Sequence, residues 1–200
     1  MSDRSEAHRE EMKKLKAEQD AKVRSKTERR GVLIVNTGHG KGKSTAGFGV
    51  AIRAAGHGQK VGLVQFIKGT WKTGEQAALK RFPEITHVVS GDGFTWNTQD
   101  RDQDIASARR GWKIAEEMML DESYDVVILD ELNIALRYDY LHIEDIVDFL
   151  RDRRRPELSV VVTGRDAKPE LIEIADTVTE MVKVKHAFDA GVKARKGVDF

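Results

Sequence analysis

Nine consecutive residues near the start of the sequence have the types and spacing needed to bind nucleotide phosphates. They read Thr-Gly-His-Gly-Lys-Gly-Lys-Ser-Thr at positions 37–45 and follow an apolar run at 32–36. Glycines at 38, 40 and 42 allow the backbone to approach phosphate oxygens closely and to turn successive N–H groups toward them. A helix that begins directly after the loop adds positive potential at its N-terminus. The pattern predicts a nucleoside triphosphate on this loop; the alternative is a glycine-rich turn with no ligand.

The side chains of the same loop would complete the phosphate site. Lys43 would neutralise phosphate charge, and the Ser44 hydroxyl would bind a magnesium ion that bridges two phosphates. The strict pattern has glycine at position 37, so the loop is a variant of it. The predicted nucleotide-binding residues of the loop are Thr37, Gly38, His39, Gly40, Lys41, Gly42, Lys43, Ser44 and Thr45.

Two adjacent carboxylates, Asp130 and Glu131, follow a second apolar run. The run predicts a buried central strand, so both acids would emerge at its carboxyl end, where parallel sheets bind ligands. We expect one of them to reach the metal. Glu131 could be that ligand or a base that prepares a water molecule, and the alternative is a solvated acidic strand end.

Two large aromatic residues, Phe94 and Trp96, lie at alternate positions after two glycines in the segment 91–96. In an extended loop they would project to the same side. They could fill the core, or they could form a flat apolar wall for a large planar ligand.

Strand-length and helix-length stretches alternate from residue 31 onward and would position these groups. We predict strands at 32–36, 61–66, 85–89, 125–130, 158–163 and 178–183, and helices at about 43–55, 74–81, 102–120, 143–150 and 169–175. Because the strands are apolar nearly throughout, we expect a mostly parallel central sheet of about six strands with helices on both faces. This α/β arrangement is that of a P-loop NTPase-like, RecA-like domain. Its longest helix would present one apolar face, formed by Ile105, Ala108, Trp112, Ala115 and Met119.

The composition excludes several classes of function. The 200 residues carry a formal net charge of +1 and no cysteine, and the segment 1–30 is charged throughout. We expect a charged, mobile N-terminal arm at 1–30 and one domain at 31–200. No apolar run approaches the roughly 20 residues of a membrane helix, and no signal peptide is evident, so we expect a soluble, cytoplasmic protein without a membrane partner. The balanced charge argues against a nucleic-acid partner.

Several motifs together resemble those of the P-loop ATP:corrinoid adenosyltransferases, which modify cob(I)alamin or cob(I)yrinic acid a,c-diamide. The resemblance extends from about Gly31 to the last residue. The motifs are residues 37–45, Val-Gln-Phe-Ile-Lys-Gly at 64–69, Gly-Phe-Thr-Trp at 93–96, Val-Ile-Leu-Asp-Glu-Leu at 127–132, Tyr-Asp-Tyr-Leu at 138–141, Thr-Gly-Arg at 163–165 and Val-Lys-His-Ala-Phe-Asp-Ala-Gly-Val-Lys-Ala at 184–194.

The resemblance implies transfer of the 5′-deoxyadenosyl group of ATP to the cobalt of a reduced corrinoid, with release of triphosphate, in adenosylcobalamin biosynthesis or salvage. It implies that Phe94 and Trp96 contact the corrinoid and displace the lower axial ligand of cobalt(II). It also favours Glu131, with Ser44, as a ligand of Mg²⁺ or Mn²⁺. A flavoprotein reductant such as flavodoxin and a homodimer are further implications.

Charge on the departing triphosphate would be stabilised by Lys41 and Lys43, with Arg165 as a further candidate because it follows an apolar strand at the same sheet edge. Two features depart from the family pattern: His39 stands where asparagine is more familiar, and residues 133–137 differ from the usual ones. They bear on fine geometry and corrinoid preference. The alternative functions are a P-loop phosphotransferase or ATPase, and a nucleotide-gated binding protein.

Overall fold

The strands form a parallel sheet in which the first strand lies inside rather than at an edge. The computed structural model describes residues 2–67, 73–90 and 100–199. Within them the strand order is β3-β2-β4-β5-β1-β6, and each neighbouring pair is parallel. The strands are β1 Leu33–Thr37, β2 Val61–Gln65, β3 Ile85–Val89, β4 Val126–Asp130, β5 Ser159–Thr163 and β6 Thr177–Glu180.

Helices connect the strands and cover both faces of the sheet. They are α1 Ser2–Arg24, α2 Lys43–Gly56, α3 Gly74–Leu79, α4 Arg101–Leu120, α5 Leu132–Arg137, α6 Ile143–Asp148, which continues as a π-helical turn at Phe149–Arg153, and α7 Pro169–Ile174. A 3-10 turn at Ala187–Ala190 follows β6. None of the described helices is long and apolar enough to span a bilayer.

Two apolar clusters lie on opposite faces of the sheet. The larger packs α4, α5 and α6 against it, with Trp112 and Phe149 in an edge-to-face contact at 5.5 Å between ring centroids. The smaller packs α2 and α3 against the other face. Burial on both faces explains why β4 is apolar until its last residue, since neither side of a central strand meets water.

The predicted fold is confirmed, with differences at the ends of elements. The predicted apolar face of α4 is buried except for Ile105, which is half-buried. The short helix α5 was not predicted because only Glu131 separates it from β4, so the sequence shows no loop-length break between the strand and the helix. Residues 2–24 form the helix α1, whose described side chains are all exposed. The expectation that residues 1–30 form a mobile arm remains a prediction.

Candidate functional site

The register of the sheet brings four polar side chains to one edge. In the pairing of β2 with β4, Gln65 lies opposite Asp130, and in the pairing of β1 with β5, Asn36 lies opposite Thr163. The next residue of β1 is Thr37, where the glycine-rich loop begins. Because all these strands are parallel, their carboxyl ends meet at the same edge and place the loop beside the two acids.

Both carboxylate oxygens of Asp130 are held by neighbouring strands. Thr163 Oγ1 donates to Asp130 Oδ1 at 2.7 Å, and Gln65 Nε2 donates to Asp130 Oδ2 at 2.9 Å. The Gln65 carbonyl oxygen lies 2.8 Å from Nε2 of His87. Asp130 is 2% exposed, so this acid is a buried structural acceptor within the sheet.

Glu131 lies at the edge with a free carboxylate. Its backbone has the left-handed value φ 60°, and its N–H donates to Thr163 Oγ1 at 3.0 Å. Within the described residues no hydrogen bond reaches its carboxylate. Burial, and next the negative charge of Asp130, raise the pKa of Glu131 to about 7, while Lys43 and Arg165 act in the opposite direction. A half-buried carboxylate of this kind would be stabilised in its charged form by a cation.

Lys43 is buried within the loop. Its Nζ donates to the backbone carbonyl of Gly40 at 2.6 Å, and the residue is 6% exposed. Burial lowers the pKa of Lys43, and the negative charge of Glu131 partly offsets this decrease. A buried ammonium group with one hydrogen bond to the protein would be stabilised by a negatively charged ligand. Gly42 precedes it at φ 114°, a value that a residue with a Cβ rarely adopts.

The backbone of Met181 passes directly over the loop. Met181 N donates to the carbonyl of Thr37 at 2.9 Å, and Gly40 N donates to the carbonyl of Met181 at 2.5 Å. A Cβ at Gly38 or Gly40 would lie 2.6 or 2.7 Å from the Met181 carbonyl oxygen. These two glycines were predicted to allow a close approach to phosphate, and they also allow this close approach of protein backbone.

Lys41 and His39 of the loop contact carboxylates of residues outside it. Lys41 Nζ lies 2.5 Å from Asp199 Oδ1. His39 Nε2 lies 3.1 Å from Asp166 Oδ1, and the other oxygen of Asp166 lies 2.8 Å from Arg137 Nη1. The two features that depart from the family pattern therefore meet at Asp166.

The remaining predicted residues are arranged around the same loop. Ser44 is half-buried at the start of α2, whereas Thr45 and Arg165 are exposed. Thr37 is buried, and its hydroxyl accepts a hydrogen bond from the N–H of Ala167 at 3.1 Å. Phe94 and Trp96 lie outside the described residues.

The oxygen donors at this edge of the sheet suit a metal ion that takes the rest of its ligands from the phosphates of a bound nucleotide. Among the described residues there is no group of three or more His, Cys, Asp or Glu side chains that could hold a metal ion. Glu131 and Ser44 would supply two hard oxygen ligands. Mg²⁺ and Mn²⁺ accept such donors, and Mg²⁺ usually completes its shell with phosphate oxygens and water. The residues present therefore fit the predicted metal.

Sequence reasoning missed the residues that fix the site from other parts of the chain. They are Gln65, Thr163, Asp166, Met181 and Asp199. Thr163 carried a signal, because a threonine that ends a valine run at the same sheet edge is placed to bond to the acids. Gln65 carried a similar signal, because it is a polar residue near the end of an apolar strand and lies in the motif at 64–69, whereas Asp166, Met181 and Asp199 had none, since their contacts depend on how distant segments return to the loop.

Comparisons with known proteins identify relatives along the whole chain. A family model described as ATP:corrinoid adenosyltransferase BtuR/CobO/CobP matches residues 29–200. A corrinoid adenosyltransferase of Pseudomonas aeruginosa is 52% identical over 200 residues, which cover 99% of this chain and 98% of that protein. One of Escherichia coli is 48% identical and is covered, like this chain, over 100% of its length. A solved structure of EssC ATPases 2 and 3 from Geobacillus thermodenitrificans is 13% identical with a TM-score of 0.46, over 84% of this chain and 35% of that one.

Proposed function

The chain belongs to the ATP:corrinoid adenosyltransferase family and is a corrinoid adenosyltransferase, and we propose that its glycine-rich loop holds the triphosphate of ATP during the transfer. In this reaction the electron pair of cobalt(I) forms a bond to C5′ of ATP. The bond from C5′ to the α-phosphate oxygen breaks, and its electrons leave with inorganic triphosphate. Cobalt(I) is itself a strong nucleophile, so the protein's tasks are to align C5′ with cobalt and to stabilise the leaving group.

The loop and Glu131 carry out the second task. The buried ammonium of Lys43, the amides of the loop and Lys41 would contact phosphate oxygens, and Arg165 would add positive charge at the rim. Glu131 and Ser44 would hold Mg²⁺ or Mn²⁺. A bound cation of this kind neutralises phosphate charge and makes triphosphate a better leaving group.

The observation that carries this assignment is the difference between the two neighbouring acids. Asp130 accepts hydrogen bonds at both oxygens, whereas the adjacent Glu131 accepts none from the described residues and has a pKa raised to about 7. Only Glu131 is therefore free to bind a cation without first breaking a buried hydrogen bond. This supports its role as the metal ligand.

The corrinoid side of the reaction rests on the family resemblance. We propose that Phe94 and Trp96 contact the corrinoid and favour four-coordinate cobalt(II), which a flavoprotein such as flavodoxin then reduces. The chain would act as a cytoplasmic homodimer, and the arm at 1–30 would order over the bound corrinoid.

The phosphate product tests the reaction directly. The protein is incubated without oxygen with ATP, Mg²⁺ and chemically reduced cobalamin, and phosphorus resonance spectra and the visible spectrum are followed together. We expect inorganic triphosphate to appear in step with the cobalt–carbon product, because one bond-breaking event makes both. ADP in stoichiometric yield with no adenosylated corrinoid would instead indicate a phosphotransferase or ATPase.

A further inference from the structure

The segment 181–199 contacts the phosphate-binding loop from both of its ends. At its start, the Met181 carbonyl accepts a hydrogen bond from Gly40 N. Near its end, Asp199 Oδ1 pairs with the ammonium of Lys41 at 2.5 Å. Between these two contacts the chain leaves the sheet and comes back to the loop. The Asp199 carboxylate therefore lies against Lys41, a residue of the proposed phosphate-binding loop.

Local hydrogen bonds hold the Asp199 carboxylate in this position. Its second oxygen accepts a bond from Arg195 N at 2.8 Å, and Asp199 N donates to the carbonyl of Arg195 at 2.8 Å. The hydrogen bond from Lys41, followed by that from Arg195 N, lowers the pKa of Asp199, so the group is negative at neutral pH. The Asp199 side chain is 24% exposed, against 55% for Lys41.

We propose that Asp199 is an internal counter-anion of the phosphate-binding loop, which pairs with Lys41 and competes with triphosphate for it. The proposal rests on the function proposed above, in which this loop binds triphosphate. The ammonium of Lys41 has three N–H donors, and the donor and the charge that it gives to Asp199 are not fully available to a phosphate oxygen while that pair persists. Asp199 therefore weakens the binding of a polyphosphate, and it matters most for the inorganic product, which has lost the adenosyl contacts that help to hold ATP.

The size of the effect follows from the exposure of the pair. The pair is in contact with water, where the attraction between opposite charges is weak, so its removal should change the affinity by no more than roughly fivefold. Removing the negative charge should thus tighten triphosphate binding about two- to fivefold. The gain should shrink at high salt, since screening acts on exposed charges.

The test compares Asp199→Asn with wild type in a calorimetric titration with inorganic triphosphate. The matched control is Asp189→Asn, which removes a similar exposed ion pair of the same segment, Lys183 with Asp189 at 2.8 Å, away from the loop. We expect tighter binding for Asp199→Asn only, and a smaller difference in 0.5 M salt, a concentration at which the Debye length is about 4 Å. In a Lys41→Met background, Asp199→Asn should have little further effect, because the shared partner is gone.

Two outcomes would overturn the proposal. Weaker or unchanged triphosphate binding in Asp199→Asn would mean that Asp199 orders the loop and does not compete with the ligand. An equal gain in Asp189→Asn would mean that general charge, not the pair with Lys41, is responsible. If Asp199→Asn loses its folded structure, the comparison of Asp199→Ser, which removes the charge, with Asp199→Glu, which keeps it, gives the same test. A wild type that binds no triphosphate would instead remove the proposed function of the loop.

Discussion

Thr163 donates its hydroxyl hydrogen to Asp130 over 2.7 Å. The same oxygen accepts the N–H of Glu131, the next residue, at 3.0 Å. One hydroxyl on β5 thus anchors the first acid and orients the backbone of the second, which lies at φ 60°. This arrangement separates a buried structural carboxylate from an adjacent carboxylate that accepts no hydrogen bond within the described part of the chain.

Replacing Thr163 tests this arrangement. Thr163→Val keeps the shape of the side chain but leaves Asp130 without one donor and the Glu131 N–H without an acceptor. We expect the free energy of unfolding to fall by about 2–4 kcal/mol, because buried polar groups lose their partners. The affinity for Mg²⁺-ATP should also fall by about tenfold or more. Thr163→Ser retains the hydroxyl and should retain the affinity, as measured by denaturant unfolding and nucleotide titration.

Glu131 should reduce the stability of the ligand-free protein above neutral pH. Its pKa is about 7 in the folded protein against an ordinary 4.5, so between these values the folded state binds more protons than the unfolded state. The free energy of unfolding therefore falls as pH rises through this window. We expect Glu131→Gln to raise Tm at pH 8 by about 3 °C, or on the order of 1 kcal/mol after allowance for solvent screening, with no gain at pH 4.

The same variant should lose the thermal stabilisation that Mg²⁺-ATP gives the wild type. Glu117→Gln, on the exposed side of α4, is the control and should behave as wild type in both assays. A fall in Tm for Glu131→Gln at pH 8 without ligands would contradict the expected destabilisation of the folded state by the charged carboxylate.

Lys43 should be required for ligand binding but not for folding. Lys43→Met removes a buried charge that burial disfavours, so Tm should not fall, while triphosphate affinity should fall about fiftyfold or more. Lys43→Ala should lose the affinity as well. Lys80→Met, an exposed replacement directly after α3, should leave both unchanged. Unaltered nucleotide binding in Lys43→Met would remove the role of this loop.

Gly42→Val should lose affinity for a different reason. Gly42 lies at φ 114°, which valine adopts only with strain, and its backbone is proposed to contact phosphate oxygen. We expect a loss of nucleotide binding together with a lower Tm, whereas Lys43→Met loses binding alone. Circular dichroism melting with and without ATP distinguishes the two variants.

The proposed role of Phe94 and Trp96 can be tested by comparing activity with cobalt(I) and cobalt(II) substrates. Alanine at either position should leave Tm and ATP binding unchanged, retain activity with pre-reduced cobalt(I), and abolish activity with cobalt(II) and a reductase. The reason is that only reduction requires the lower axial ligand to be displaced. If Tm falls sharply and both substrates are used equally poorly, these residues belong to the core.

The glycine-rich loop, the carboxyl end of a central strand and the parallel α/β fold could be predicted from the sequence. Local spacing was sufficient for each, because backbone approach needs glycine, and strands buried on both faces need continuous apolar residues. Family membership followed from motifs spread over residues 37–194. The helix α5 could not be predicted, since only Glu131 separates it from β4 and no loop-length segment marks where it begins.

The sequence by itself determined that two acids stand at the carboxyl end of β4, but only the tertiary structure decided which of them accepts no hydrogen bond from the described residues. Asp130 and Glu131 are equivalent in a local pattern. Asp130 is held because the register of three parallel strands brings Gln65 and Thr163 to its two oxygens. The pairing of Lys41 with Asp199 was likewise decided by a distant segment that returns to the loop. Contacts between distant segments depend on register and chain path, and neither is encoded in the spacing of neighbouring residues.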